Sequence, residues 1–136
     1  MKQVRTRQVA ALPWREGGQG TEVLLISSRE TKRWVIPKGW PIPSLSPPDS
    51  ALREAFEEAG VGGQIARKPA GHFGYMKRMK DGTEVSCSVE VFPLEVMVQH
   101  REWPEQGQRD ARWFKRDEAA AAVDEPGLAA IIRKLK

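Results

Sequence analysis

Apolar and polar positions along residues 8–14 (QVAALPW) and 22–27 (EVLLIS) form short runs, too brief for helices, and predict two strands, the second around VLLI. Gly17, Gly18 and Gly20 lie between them and predict a loop. Trp34-Val35-Ile36 predicts a short buried strand that stops at Pro37. The stretch KGWPIPSLSPP follows. Pro41, Pro43, Pro47 and Pro48 exclude a helix across residues 41–48 and predict a stiff loop. Ser46-Pro47-Pro48-Asp49 then opens a helix, with Ser46 at the N-cap, Pro47 at N1 and Asp49 at N3 as a variant of the capping box. ALREAFEEA continues it, and Gly60 falls just past its end.

Residues 63–75 and 84–98 predict two further strands with a turn at Asp81-Gly82. Pro93 interrupts the second, so an edge position, a bulge or a break is expected there. Residues 99–109 form a polar loop. Ala111–Lys115 predicts a strand around Trp113 and Phe114. Asp117 suits the cap of a helix over 118–123, and a last helix begins at Pro126. Strands mixed with two or three helices indicate an α/β sandwich, and residues 1–136 suit one domain.

Composition narrows the picture only modestly. With 40% apolar and 29% charged residues among 136, the chain is expected to form a packed globule. A net charge of +4 favours an anionic partner without separating nucleic acid from a small polyphosphate. Cys87 is the single cysteine, which excludes an intrachain disulfide and fits a reducing, cytoplasmic compartment; its alternating apolar surroundings fit plain packing. No apolar run approaches the length of a membrane span, and the N-terminal MKQVRTRQVAALPW reads as a strand rather than a signal peptide.

The carboxylates of the first helix carry the chemistry. Residues three and four apart share a helix face, so Glu54, Glu57 and Glu58 project together beside an apolar stripe of Ala51, Leu52, Ala55, Phe56 and Ala59. Like charges at this spacing repel by a few tenths of a kcal/mol per pair (~0.2–0.5). A hard divalent cation reverses that sign, because magnesium accepts carboxylate, water and phosphate oxygens in one octahedron. The plainer reading is a solvated acidic face with Arg53 paired to Glu57.

The wider pattern resembles the Nudix hydrolase family, whose signature reads G-x5-E-x7-R-E-U-x-E-E-x-G-U with U aliphatic. Gly39, then Arg53-Glu54-Ala55-Phe56-Glu57-Glu58-Ala59-Gly60-Val61, match it without a gap. The departure is Leu45, which stands where the signature has a glutamate that usually helps hold the loop and the signature arginine. Arg53 then either reaches Glu57, or the prolines alone hold the loop. The resemblance implies a Nudix fold, an α/β/α sandwich with a mixed sheet and a loop-helix, and hydrolysis of a pyrophosphate bond. It implies Glu54, Glu57 and Glu58 as ligands of magnesium, with manganese as an alternative, and the carbonyl of Lys38 as a further ligand. Arg53 and a base complete the implied catalytic set. Glu105, in the polar loop, is the first candidate for the base, against the plain reading of a solvated loop residue.

Trp34-Val35-Ile36-Pro37-Lys38-Gly39, Glu102-Trp103 and Arg112-Trp113-Phe114 resemble the diphosphoinositol polyphosphate and diadenosine polyphosphate hydrolases more loosely. The expected partner is a small anionic substrate containing a diphosphate, such as a nucleoside diphosphate derivative, a dinucleoside polyphosphate or an inositol pyrophosphate. Lys38, Gly39 and Arg33 are its candidate binding residues. Lys32, Lys77, Arg78 and Lys80 add positive field, although MKRMKDG also suits a simple basic turn. Trp40 and Tyr75 are candidates for stacking on a base. His72 and His100 are not at metal-ligand spacing. A ligand-sensing module without catalysis and an RNA 5′-end hydrolase are the rival readings. Without an RNP-type aromatic strand, a nucleic-acid partner is not expected. Neither is a membrane; a monomer and a homodimer both remain open.

Overall fold

In the computed structural model, which describes residues 5–29 and 31–135, one mixed sheet lies between helices on both faces. The strands are β1 (Arg5–Gly17), β2 (Gly20–Ser27), β3 (Trp34–Val35), β4 (Lys38–Gly39), β5 (Val61–Ile65), β6 (Gly71–Arg78), β7 (Glu84–Gln99) and β8 (Ala111–Lys115). The helices are α1 (Pro47–Ala59), α2 (Arg116–Ala122) and α3 (Pro126–Arg133). The path β3-β2-β1-β7-β5 forms the spine, with β4 on β1, β6 on β7 and β8 on β2. The β1–β7 pair is parallel and the other strand pairs are antiparallel.

The unbroken apolar run of β2 follows from burial on both sides. Val9, Ala11, Leu24 and Ile26 face α1 together with Phe92 and Leu94. Ala10, Leu12, Val23 and Leu25 face α2 and α3, with Val89 and Val91. Each fully buried Val, Leu or Ile here contributes about 1.5–3 kcal/mol. Ala51, Ala55 and Ala59 are the buried residues of the α1 stripe, and their small side chains let the helix lie close to β1, while Leu52 packs at the margin.

The stretch expected as one strand over 63–75 is two strands, both pairing with β7. Pro93 explains the division. Its carbonyl accepts from the amide of Ala66 (2.8 Å), and the N and O of a strand residue point to the same neighbour. The missing N–H therefore faces the connection over residues 66–70, where β5 has ended and β6 has not begun. Parallel pairing of Leu12 with Pro93 continues undisturbed on the other side. The proline thus sits within a central strand, at a break in its partners rather than in itself.

Two capping expectations are corrected. Helix α2 starts directly from β8 with Lys115 at the N-cap and no side-chain cap, which leaves Asp117 inside the first turn, accepting from Arg116 (3.3 Å). Asp49 donates its backbone N–H to Ser46 Oγ (3.3 Å) as expected of an N3 residue, but its carboxylate accepts from Arg67 (2.8 Å). Among the described residues no helix is long and apolar enough to cross a membrane.

Candidate active site

The site is set by how α1 starts, how it ends and what approaches its side. Ser46 caps the first turn, and Pro47 stands at its beginning. The loop before it, which lacks the glutamate of the signature, is held by other means. Ser50 is fully buried, and its Oγ accepts from the backbone N–H of Ile42 (3.0 Å). The N–H of Leu45 closes a turn on the carbonyl of Ile42 (2.9 Å). Arg53 is exposed and, among the described residues, forms no ion pair, so it does not reach Glu57.

At the other end Gly60 adopts the left-handed conformation (φ 69°, ψ 24°) and donates to the carbonyl of Phe56 (2.9 Å). A Cβ there would lie 2.4 Å from Cε3 of Trp103, so the indole covers the glycine directly. His100 stacks edge-on against Phe56 at 5.0 Å, and its amide donates to the Gly60 carbonyl (2.7 Å). Residues 100–110 are thereby fastened to the end of α1.

Between these ends, Glu54 and Glu58 stand one helical turn apart, and each perturbs the carboxyl of the other. Burial pushes the Glu58 carboxyl up to about 9, and the neighbouring Glu54 adds to the rise, while the guanidinium of Arg109 opposes it. Glu54 is raised chiefly by burial as well. Both carboxyls therefore hold a proton more tightly than a free glutamate does, as expected where acidic groups meet away from water. Glu57 stands one residue along, and its backbone carbonyl accepts from the amide of Glu105 (2.9 Å). Among the described residues no three acidic, histidine or cysteine side chains converge on one point at metal-holding spacing.

Strand β4 brings the other expected residues alongside. Lys38 pairs with Ala10 and Gly39 with Val9. A Cβ on Gly39 would lie 2.5 Å from Cδ of Glu54, so the glycine is the floor on which that carboxylate rests. The Lys38 ammonium sits 5.0 Å above the ring of Tyr75, and burial lowers its pKa against the pull of Glu58. Tyr75 donates its hydroxyl to Gln8 (2.6 Å).

Other expected residues lie farther out. Arg33 is exposed and paired with Asp124 and Glu125 (both 3.5 Å), on the connection between α2 and α3. Trp40 is exposed, with Lys77 at 5.9 Å from its ring. Arg78 and Lys80 lie on the exposed β6–β7 hairpin. His72 pairs with Glu90 (3.3 Å) beside a cavity of about 110 Å³ that none of the α1 glutamates lines.

Two residues of the site carried no sequence signal. Ser50 looks like any helix serine until Ile42 folds back over it. Arg109 stands in an unstructured polar stretch, yet it reaches Glu105 (3.4 Å), Glu58 (3.8 Å) and the carbonyl of Ser27 (3.3 Å) at once.

A NUDIX domain model matches residues 4–135. The chain belongs to the Nudix family. It is 31% identical over 134 residues to diphosphoinositol polyphosphate phosphohydrolase 3-beta of Bos taurus, covering 96% of this chain and 77% of that protein. It is 39% identical over 116 residues to Nudix hydrolase 21, chloroplastic, of Arabidopsis thaliana, covering 82% of this chain and 56% of that protein. A C. elegans Ap4A hydrolase structure shares the Nudix fold with a TM-score of 0.66 and 20% identity, over 96% of each chain. The family, the α/β/α fold and the pyrophosphohydrolase class expected of the Nudix resemblance are borne out.

Proposed function

We propose that this Nudix chain cleaves the pyrophosphate bond of a small, highly anionic substrate: a dinucleoside polyphosphate, an inositol pyrophosphate or another nucleoside diphosphate derivative. The carboxylates of buried Glu58 and half-buried Glu54, one helical turn apart and with Glu54 resting on Gly39, carry this reading. A structural helix face would expose such carboxylates to water. The similarity to a mammalian diphosphoinositol polyphosphate phosphohydrolase supports the substrate class.

The donor chemistry suits magnesium, with manganese as the alternative: it is all hard oxygen on one helix face, and binding would draw together carboxylates that do not converge on one point without the ion. Glu54, Glu57, Glu58 and the carbonyl of Lys38 would hold it. When bound, magnesium supplies charge neutralisation at the pyrophosphate oxygens and a lowered pKa for water. The Lys38 side chain, drawn toward its charged form by Glu58, is suited to phosphate oxygens. Gly39 leaves its side of the site open to the carboxylate of Glu54. Glu105 is the proton acceptor in this reading, since the hydrogen bond from its backbone N–H to the Glu57 carbonyl fixes its backbone against α1. Arg53 enters by resemblance alone, and Arg33 acts from the rim. A cytoplasmic site of action accompanies this reading.

The test is phosphate release from dinucleoside polyphosphates and inositol pyrophosphates, with magnesium titrated. Glu57→Gln should lower turnover by orders of magnitude while thermal unfolding stays cooperative. Wild-type turnover of that variant at saturating magnesium refutes the site.

A further inference from the structure

Arg109 is the least expected member of the site and the most heavily shared. Its Nη1 donates to the carbonyl of Ser27 (3.3 Å), and its Nη2 lies 3.4 Å from Oε1 of Glu105 and 3.8 Å from Oε1 of Glu58. Nε is buried with no partner among the described residues. The backbone around it is fastened on both sides. The Asp110 amide donates to Ser27 Oγ, and the Ser27 amide to the Asp110 carbonyl (both 2.9 Å). The Gln108 amide donates to the Glu105 carbonyl (3.1 Å), and the Glu105 amide to Glu57. The guanidinium is thus delivered by a strapped segment to the one place where the loop carboxylate and the helix carboxylate meet.

A buried guanidinium that leaves one donor orphaned and divides another between two carboxylates is a poor choice for stability alone. We infer that Arg109 is a positioning residue that aims the Glu105 carboxylate at the α1 glutamates and acts as their counter-charge. This rests on the reading of Glu54, Glu57 and Glu58 as cation ligands. Two separable consequences follow from the geometry. As a positive charge beside Glu58, Arg109 opposes entry of a second cation. As a planar fork held by Ser27, it fixes Glu105 in a way that a lysine ammonium does not.

The experiment compares Arg109→Gln and Arg109→Lys with the wild type, using magnesium or manganese alone in calorimetric titration and then steady-state hydrolysis. Arg109→Gln should bind the metal about tenfold more tightly without substrate, yet lose at least about tenfold in kcat. Arg109→Lys should keep wild-type metal affinity and still lose kcat, because charge is retained and the fork is not. Unchanged metal affinity in Arg109→Gln overturns the inference, and so does a rise in KM alone, which would make Arg109 a phosphate-binding residue. If Arg109→Gln does not fold, Arg109→Lys carries the test, and wild-type kcat in that variant overturns the positioning role. A wild-type protein that neither binds metal nor hydrolyses any diphosphate contradicts the functional reading itself, a result distinct from all of these.

Discussion

Replacing Gly39 by alanine isolates the placement of one carboxylate. Gly39 lies in strand β4, and its backbone is not in the left-handed region, so alanine fits the main chain without strain. The added Cβ would lie 2.5 Å from Cδ, 2.6 Å from Oε1 and 2.8 Å from Oε2 of Glu54. Ordinary contact between carbons begins near ~3.5 Å, so the carboxylate must retreat by about 1 Å. That is cheap for the fold, because the displaced atoms end a flexible side chain. A Gly→Ala change also reduces the freedom of the unfolded chain, a gain of about 0.4–1 kcal/mol. For chemistry the same shift is severe, since ligand distances tolerate only about ±0.2 Å. Misplacement by ~1 Å at a reacting centre costs on the order of 10²-fold in rate, equivalent to about 2.7 kcal/mol. The expected outcome is a drop of about 100-fold in kcat/KM at saturating magnesium, with a melting temperature in EDTA within a few degrees of wild type. Glu54→Asp on the alanine background withdraws the carboxylate from the new methyl and should recover part of the loss. Wild-type kcat/KM together with an unchanged magnesium half-saturation point would refute the argument, since Glu54 would then either not rest on Gly39 or not take part.

Three other outcomes follow from the same geometry. Glu58 has its folded pKa raised from 4.5 to about 9, so the stability it contributes is complete below about pH 4.5 and is lost as pH rises toward 9. In EDTA the wild-type melting temperature should therefore fall across that window more than that of Glu58→Gln, and parallel curves would contradict the burial of this carboxyl. Ser50→Ala leaves the Ile42 amide without its acceptor, a loss of about 1–3 kcal/mol that thermal unfolding would register, whereas Leu45→Glu should leave the melting temperature unchanged because the turn is already pinned. Gly60→Ala combines a left-handed penalty of about 1–2 kcal/mol with displacement of the Trp103 indole, so both stability and turnover should fall, and a neutral result would mean that Trp103 does not rest on the helix end.

Much of the molecule is local enough to be written in the sequence. Ser46 and Pro47 start α1 and Gly60 stops it because capping depends only on residues within a turn. The spacing of Glu54, Glu57 and Glu58 puts them on one side of α1 for the same reason, and VLLI reads as a strand because its side chains bury on both faces of the sheet. The division of residues 63–75 was not legible. It depends on β7 accepting two partners in succession on one edge, with Pro93 opposite the gap.

Sequence determined which carboxylates share one side of α1, and tertiary structure decided how deeply each is buried and what approaches it. The raised pKa of Glu54 and of Glu58 arises chiefly from burial, and burial is a property of the packed sheet and helix, not of the segment. Arg109 comes to Glu58 from a separate loop because Ser27, on β2, holds its backbone there. Capping and periodicity act within a turn or two of chain, so one sequence carries them plainly. Close approach, desolvation and pairing between distant loops act through space, and they exist only once the chain has closed on itself.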